Sequence, residues 1–123
     1  MNKAQAIQNF WSGFGLTAYD ENSVPDDAKT PYITYSVSVG DLDDPVTLSA
    51  SLWYRSTSWS EIEAKSHEIS EAITKMYPPT IEIDNGRLYI TKGSPFAQRM
   101  NDPSDDIMKR IYININAEFL TAY

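Results

Sequence analysis

The stretch IEIDNGRLYI at residues 81–90 gives the clearest local signal of the fold, because apolar and polar residues alternate on both sides of a central Asn-Gly pair. Such alternation is typical of strands with one buried face, and Asn-Gly is the preferred two-residue type I′ turn of a β-hairpin. The pattern predicts a hairpin in which Ile83 pairs with Leu88 and Ile81 pairs with Ile90. On the opposite face this register pairs polar residues, Asp84 with Arg87 and Glu82 with Tyr89.

Three further segments alternate in the same way. Residues 33–39 and 46–55 predict a second antiparallel hairpin, joined by a turn-rich connector at residues 40–45. Residues 107–119 predict a final strand that is much longer than the usual length of about 5 to 6 residues. We expect this strand to bend, to bulge or to extend past its neighbours.

Two helices are predicted by apolar residues at helical spacing, one over residues 3–11 and one over about residues 60–76. Ser60 and Glu63 form a capping-box pattern for the second helix, and Ser58 with Glu61 offers an alternative start. Residues 16–31 are interpreted as an irregular acidic connection, and residues 93–106 as a long loop.

The predicted order is therefore α-β-β-α-β-β-β. We expect one α+β domain over residues 1–123, in which two helices cover the apolar face of a single, mainly antiparallel sheet as a two-layer sandwich.

Charge and composition argue against several classes of function. The net charge is −7, and the 10 Lys and Arg residues are scattered, whereas binding of nucleic-acid phosphates or of an anionic membrane needs clustered cations. The absence of cysteine excludes disulfides, thiolate zinc sites and cysteine nucleophiles. Neither a signal-peptide core nor an apolar stretch of about 20 residues is present, so we expect a protein that remains in the cytoplasm where it is made.

No pattern in the chain nominates a catalytic, cofactor or metal site. His67, the only histidine, can share a helical face with Glu63 and Glu71, but this spacing describes an ordinary solvated face better than a metal site. The carboxylates of residues 41–44 lack the central glycine and distant glutamate of a calcium loop. A Gly-x-Ser-x-Gly motif is also absent.

The features that remain are candidates for protein contact. Trp53, Tyr89 and Tyr112 fall on the polar face of the predicted sheet, where they indicate either an interface or simply the preference of aromatic residues for strands. We expect the long predicted loop to dock on a partner rather than on its own domain. Its candidate contact residues are Phe96, Arg99 and Met100, and Leu42 is a further candidate in the connector.

Several stretches resemble small tail-region proteins of phages and prophages from Gram-positive hosts. They are NFWSGFGLTAY at 9–19, PYITY at 31–35, PVTLSASLWYRS at 45–56, KGSPFAQRM at 92–100 and RIYIN at 110–114. Together they extend over nearly the whole chain, and the family that they resemble is that of the tail terminators, also called tail-completion proteins.

This resemblance implies a small α+β fold and a homo-oligomeric ring, typically a hexamer, that caps the growing tail tube and fixes its length. The partners that it implies are the major tail tube protein and the head-tail connector. The location that it implies is the virion tail, and the host cytoplasm during assembly. It transfers no catalytic residue and no cofactor. Two alternatives stay open: another neck component such as a stopper, and a small α+β enzyme or ligand-binding domain.

Overall fold

The computed structural model describes residues 2–36, 46–84, 86–100, 105 and 107–121. Its helices and strands follow the order α1 (Lys3–Ser12), β1 (Thr17–Asp20), β2 (Tyr32–Tyr35), β3 (Val46–Arg55), α2 (Ser60–Lys75), β4 (Thr80–Ile83), β5 (Gly86–Met100) and β6 (Met108–Thr121).

The strands form one sheet in the order β1-β2-β3-β6-β5-β4. The pair β1 and β2 is parallel, and the other pairs are antiparallel. The predicted pairing of the segments that become β2 and β3 is confirmed, with Tyr35 opposite Ala50. The long final strand β6 lies in the middle of the sheet, because β3 pairs along one side of it and β5 along the other.

The predicted fold class, a two-layer sandwich with a mainly antiparallel sheet and the order α-β-β-α-β-β-β, is wrong. The described residues form a single six-stranded mixed sheet that curls, with two helices. An additional strand, β1 (Thr17–Asp20), lies within the predicted irregular connection and makes the sheet mixed. The helix α1 contacts both β1 and β4, which are the two end strands of the sheet. A flat sheet would separate these strands by about 24 Å, so the curl brings them together around the helix.

The hydrophobic core lies on the face of the sheet that carries the helices, which is its concave face. Alternate residues of each central strand point into it, as the period of a strand requires. The largest fully buried side chains are Trp11, Ile33, Leu48, Leu52, Ile62, Ile69, Ile90, Ile111, Ile113 and Ile115.

The two helices begin differently. Asn2 caps α1, and its side chain forms a capping box with Gln5. The capping box predicted for α2 is wrong, because the N-cap is Trp59 and makes no side-chain capping bond. The Oγ atom of Ser58 instead accepts a hydrogen bond from the N–H of Ser60 at 3.1 Å. The carboxylate of Glu63 is therefore free to bind another partner.

The β4–β5 hairpin is present, but its predicted register is wrong by two residues. Ile81 pairs with Leu88, and Ile83 pairs with Gly86. Because a shift of two residues preserves the alternation of side chains, Leu88 and Ile90 still point into the core. Asn85, on which the type I′ turn was predicted, lies outside the described residues.

The predicted long loop at 93–106 is wrong over its first half, because β5 continues to Met100 and pairs with β6. A register shift between Lys92 and Ala97 absorbs the extra residues as a bulge. Gly93 fits at this bulge since an added Cβ would lie 2.8 Å from the Cβ of Asn114.

Candidate protein interface

The face of the sheet opposite the helices, which we call the convex face, presents a row of large side chains. The strand registers place Tyr32 opposite Trp53, Trp53 opposite Arg110, and Arg110 opposite Met100. One row therefore crosses four adjacent strands, from β2 through β3 and β6 to β5. The five residues Tyr19, Tyr32, Trp53, Arg110 and Tyr112 form what we call the aromatic–arginine cluster.

Trp53 is the centre of this cluster. Its indole Nε1 donates a hydrogen bond to Oγ1 of Thr34 at 2.9 Å. Its ring lies 6.3 Å from the ring of Tyr32 at an interplanar angle of 26°, and Tyr32 contacts Tyr19 edge-on at 5.8 Å. The half-buried indole is therefore held in one orientation before any partner arrives.

Arg110 lies between two rings of the cluster. Its guanidinium carbon is 4.7 Å from the ring centroid of Trp53 and 5.8 Å from that of Tyr112. Its Nε donates a hydrogen bond at 3.0 Å to Oγ of Ser51, which is only 3% exposed. Stacking and one hydrogen bond thus fix the guanidinium plane, while its terminal amino groups remain available for further hydrogen bonds.

Exposed apolar residues extend the convex face beyond the cluster. Tyr89 and Leu120, which are 36% and 38% exposed, lie towards the far end of β5 and β6, and Met100, which is 39% exposed, lies beside Arg110. A shallow open pocket of about 220 Å³ lies beside Tyr89, and its other lining residues are Thr91, Asn116, Ala117 and Glu118. This pocket is wide open and suits a side chain of a partner better than an enclosed small molecule.

The candidates within β5 separate onto two sides of the strand. Phe96 is half-buried and packs against the chain's own core, which contradicts the expected docking of this segment away from its domain. Arg99 points to the helix side, where its Nε lies 2.6 Å from Oε1 of Glu63 and its guanidinium carbon lies 4.7 Å from the ring of Trp59. Met100 alone of these three lies in the convex row, and Leu42 is outside the described residues.

The structure does not gather His67, Glu63 and Glu71, the arrangement considered on the second helix, into one site. Glu63 binds Arg99, while Glu71 lies 3.8 Å from Nε2 of His67 and 3.5 Å from Nζ of Lys75. Within the described part of the chain, no group of three or more His, Asp or Glu side chains could hold a metal ion. The carboxylates of residues 41–44 lie outside that part. Over the same part, neither helix combines the length and the apolar character that crossing a bilayer demands.

Two titrating groups with shifted pKa values lie on the concave side, away from the cluster. Burial raises the pKa of Tyr54, and the negative charges of Glu61 and Glu68 add to the effect. Burial also raises the pKa of Tyr35, with a further contribution from Asp20. The hydroxyl of Tyr35 donates a hydrogen bond to Oε1 of Gln8, so this group ties α1 to β2.

A second apolar surface lies beside the end of α2. Tyr77 is 97% exposed there, next to an open groove of about 560 Å³. Residues of α2, of the following turn and of β5 line this groove, among them Ile73, Met76, Pro79 and Ile90. It contains no cluster of titrating groups and lies on the helix side of the sheet.

The alternation of the strands singled out Trp53 and Tyr112 but not Arg110, which lies between them. By alternation Arg110 falls on the polar face of the final strand, but it was not named as a contact candidate, and Tyr32 was not assigned to either face. The positions of these residues depend on which strands are neighbours, and alternation within a strand carries no such information.

Comparison with known proteins does not assign the chain to a family. No protein-family model matches it, and no curated protein is significantly similar to it.

Proposed function

We propose that this chain is a structural assembly protein that forms a homo-oligomeric ring and caps the tail tube of a long-tailed bacteriophage. The observation that carries the proposal is the aromatic–arginine cluster on the convex face, together with the exposed Met100 of the same row. Trp, Tyr and Arg dominate the binding energy of protein interfaces, and Met is enriched in them as well.

The dimensions of the convex face support this role. Six strands and a ten-residue β3 give a surface of about 24 Å by about 33 Å, or roughly 800 Å². A standard stable interface buries about 800 Å² on each partner, so one such face is large enough for specific association.

The cluster also has the preorganisation that an interface needs. The hydrogen bond of Trp53 to Thr34 and that of Arg110 to Ser51 hold both side chains in place. Ordering of long side chains opposes association, and groups that are already ordered avoid that cost. The resemblance of residues 9–19, 45–56 and 92–100 to tail terminators supplies the particular assembly.

A ring places one further requirement on the surface. Each subunit must present two different patches, because a head-to-tail interface closes into a ring whereas a self-complementary one stops at a dimer. The convex face and the acidic connection between β1 and β2 are two such patches of different chemistry.

The test is electron microscopy of tails assembled with and without this protein. The proposal predicts tubes of uncontrolled length, without a terminal cap, when the protein is missing. Normal-length tails that fail to join heads would instead identify a stopper. Normal tails joined to heads would refute a role at the tube end.

A further inference from the structure

The arginines of the chain differ in one respect. Arg55 lies 3.8 Å from Asp105, Arg87 lies 3.5 Å from Glu82 and Arg99 lies 2.6 Å from Glu63. Arg110 is the only arginine that makes no ion pair within the residues that the structure describes, although acidic residues outnumber basic ones by 17 to 10. Its environment is two aromatic rings and a buried hydroxyl.

Such a guanidinium is ready to bind a carboxylate. Its plane is fixed by Trp53 and Tyr112, and Ser51 occupies Nε, so the terminal N–H groups can form a charge-assisted pair with an incoming oxyanion. Lysine cannot reproduce this arrangement, since an ammonium group is neither planar nor forked.

The chain itself carries unpaired carboxylates, whose negative charge is complementary to that of Arg110. Residues 20–27 contain four acidic residues and no Lys or Arg. Glu21, Asp26 and Asp27 are exposed and form no ion pair with any other described residue. They belong to the connection between β1 and β2, at one edge of the sheet.

Within one subunit the two patches are apart. Glu21 lies four residues beyond the row that contains Arg110, and β1 is three strands from β6. These offsets correspond to roughly 19 Å along the sheet, well beyond the reach of an ion pair. Asp26 and Asp27 lie on the part of the connection that returns to β2, and they likewise form no ion pair with Arg110 among the described residues of one subunit. A pairing of the two patches would therefore join two different subunits.

We infer that Arg110 of one subunit binds the acidic connection at residues 20–27 of a second copy of this chain. The inference rests on the proposed ring, and it names the two patches that alternate around it. The contact is heterologous, because the arginine patch and the acidic patch are different surfaces of the same subunit.

The test is the dissociation constant of self-association, measured on the full chain by sedimentation velocity. Arg110→Gln should weaken association by about tenfold or more, and Arg110→Lys should restore only part of it. The matched control is Arg87→Gln, which removes an arginine of the same face that already pairs with Glu82. Far-ultraviolet circular dichroism and thermal unfolding verify that each variant is folded.

Variants with reversed charges test the same contact even if Arg110→Gln weakens folding. Asp26→Lys with Asp27→Lys, and Arg110→Glu alone, should each impair association, and mixing the two variant proteins should restore a contact. Wild-type behaviour of Arg110→Gln would overturn the inference, as would a wild-type chain that remains monomeric up to about 1 mM. If Arg110→Gln weakens self-association but the substitutions of Asp26 and Asp27 do not, the inference is also overturned, and Arg110 binds acidic groups elsewhere.

The association measurements test only the Arg110 contact, whereas the length of assembled tails tests the proposed function. A chain whose variants associate normally can still control tail length, in which case only the Arg110 contact is wrong. Tails of normal length in the absence of the protein would remove the proposed function whatever the variants do.

Discussion

The indole Nε1 of Trp53 donates a hydrogen bond to Oγ1 of Thr34 at 2.9 Å, which ties β3 to β2 on the convex face. Thr34 is only 9% exposed, so its hydroxyl is shielded from water and gains a defined partner. The bond also fixes the indole plane, against which Tyr32 and Arg110 stack. A single polar contact therefore orients the centre of the candidate interface.

Trp53→Phe should lower the free energy of unfolding by about 1 kcal/mol, because it removes the hydrogen-bond donor and leaves the Thr34 hydroxyl unpaired. Urea denaturation at neutral pH measures the change. Tyr89→Phe is the control on the same face, and we expect it to change stability by less than about 0.5 kcal/mol. Equal stability of Trp53→Phe and wild type would show that the bond contributes nothing in solution.

Phe96→Ala and Met100→Ala should have opposite consequences. Phe96 packs against the core, so its truncation should cost about 2 kcal/mol of stability. Met100 is 39% exposed in the convex row, and its truncation should leave stability within about 0.5 kcal/mol while it weakens assembly. Thermal unfolding and sedimentation velocity on both variants separate these effects. If assembly weakens in both variants only in proportion to their loss of thermal stability, Met100 has no contact role.

Gly93→Ala should destabilise the sheet by about 1 to 3 kcal/mol, because the new methyl group would lie 2.8 Å from Cβ and 2.9 Å from the carbonyl oxygen of Asn114. Gly13→Ala provides the comparison, since the nearest atom to its added Cβ is 3.4 Å away and its φ is −77°. Denaturant unfolding should show almost no change for Gly13→Ala. A tolerated Gly93→Ala would indicate that the bulge can open.

Stability should fall at alkaline pH because of Tyr54 and Tyr35. Their folded pKa values are raised above the ordinary 10.0, so the folded state holds its phenolic protons when the unfolded state has lost them. The associated stability is complete below pH 10.0 and is lost as pH rises through the raised folded values. In Tyr54→Phe, urea titrations between about pH 9 and about pH 11 should show a smaller loss than in wild type. An unchanged slope, after correction for the variant's stability at neutral pH, would contradict this assignment.

Local patterns predicted the elements that depend on short-range chemistry. The helix α2 ends at Lys75, close to its predicted end before Pro78, and α1 ends at Ser12 beside Gly13. Strand β3 has the predicted bounds, and its alternation correctly placed Leu48 and Leu52 in the core. In these segments the hydrophobic periodicity and the helix-ending Gly and Pro residues agree with the tertiary structure.

What the sequence could not indicate depends on long-range pairing. The four residues of β1 have no distinctive alternation, and they form a strand because β2 pairs with them in parallel. Gly93 and Pro95 indicated a loop, but the sheet accommodates them in the bulge of β5. The row from Trp53 to Met100 depends on β6 lying between β3 and β5, which no property of a single strand encodes.

A photo-crosslinking amino acid in place of Tyr112, within assembled tail particles, shows whether the convex face contacts other protein chains. The matched position is His67, whose side chain is 76% exposed on the helix side. If the convex face is the interface, position 112 should form covalent adducts to other protein chains and position 67 few or none. Adducts from position 67 alone, with position 112 left unreacted, would contradict it.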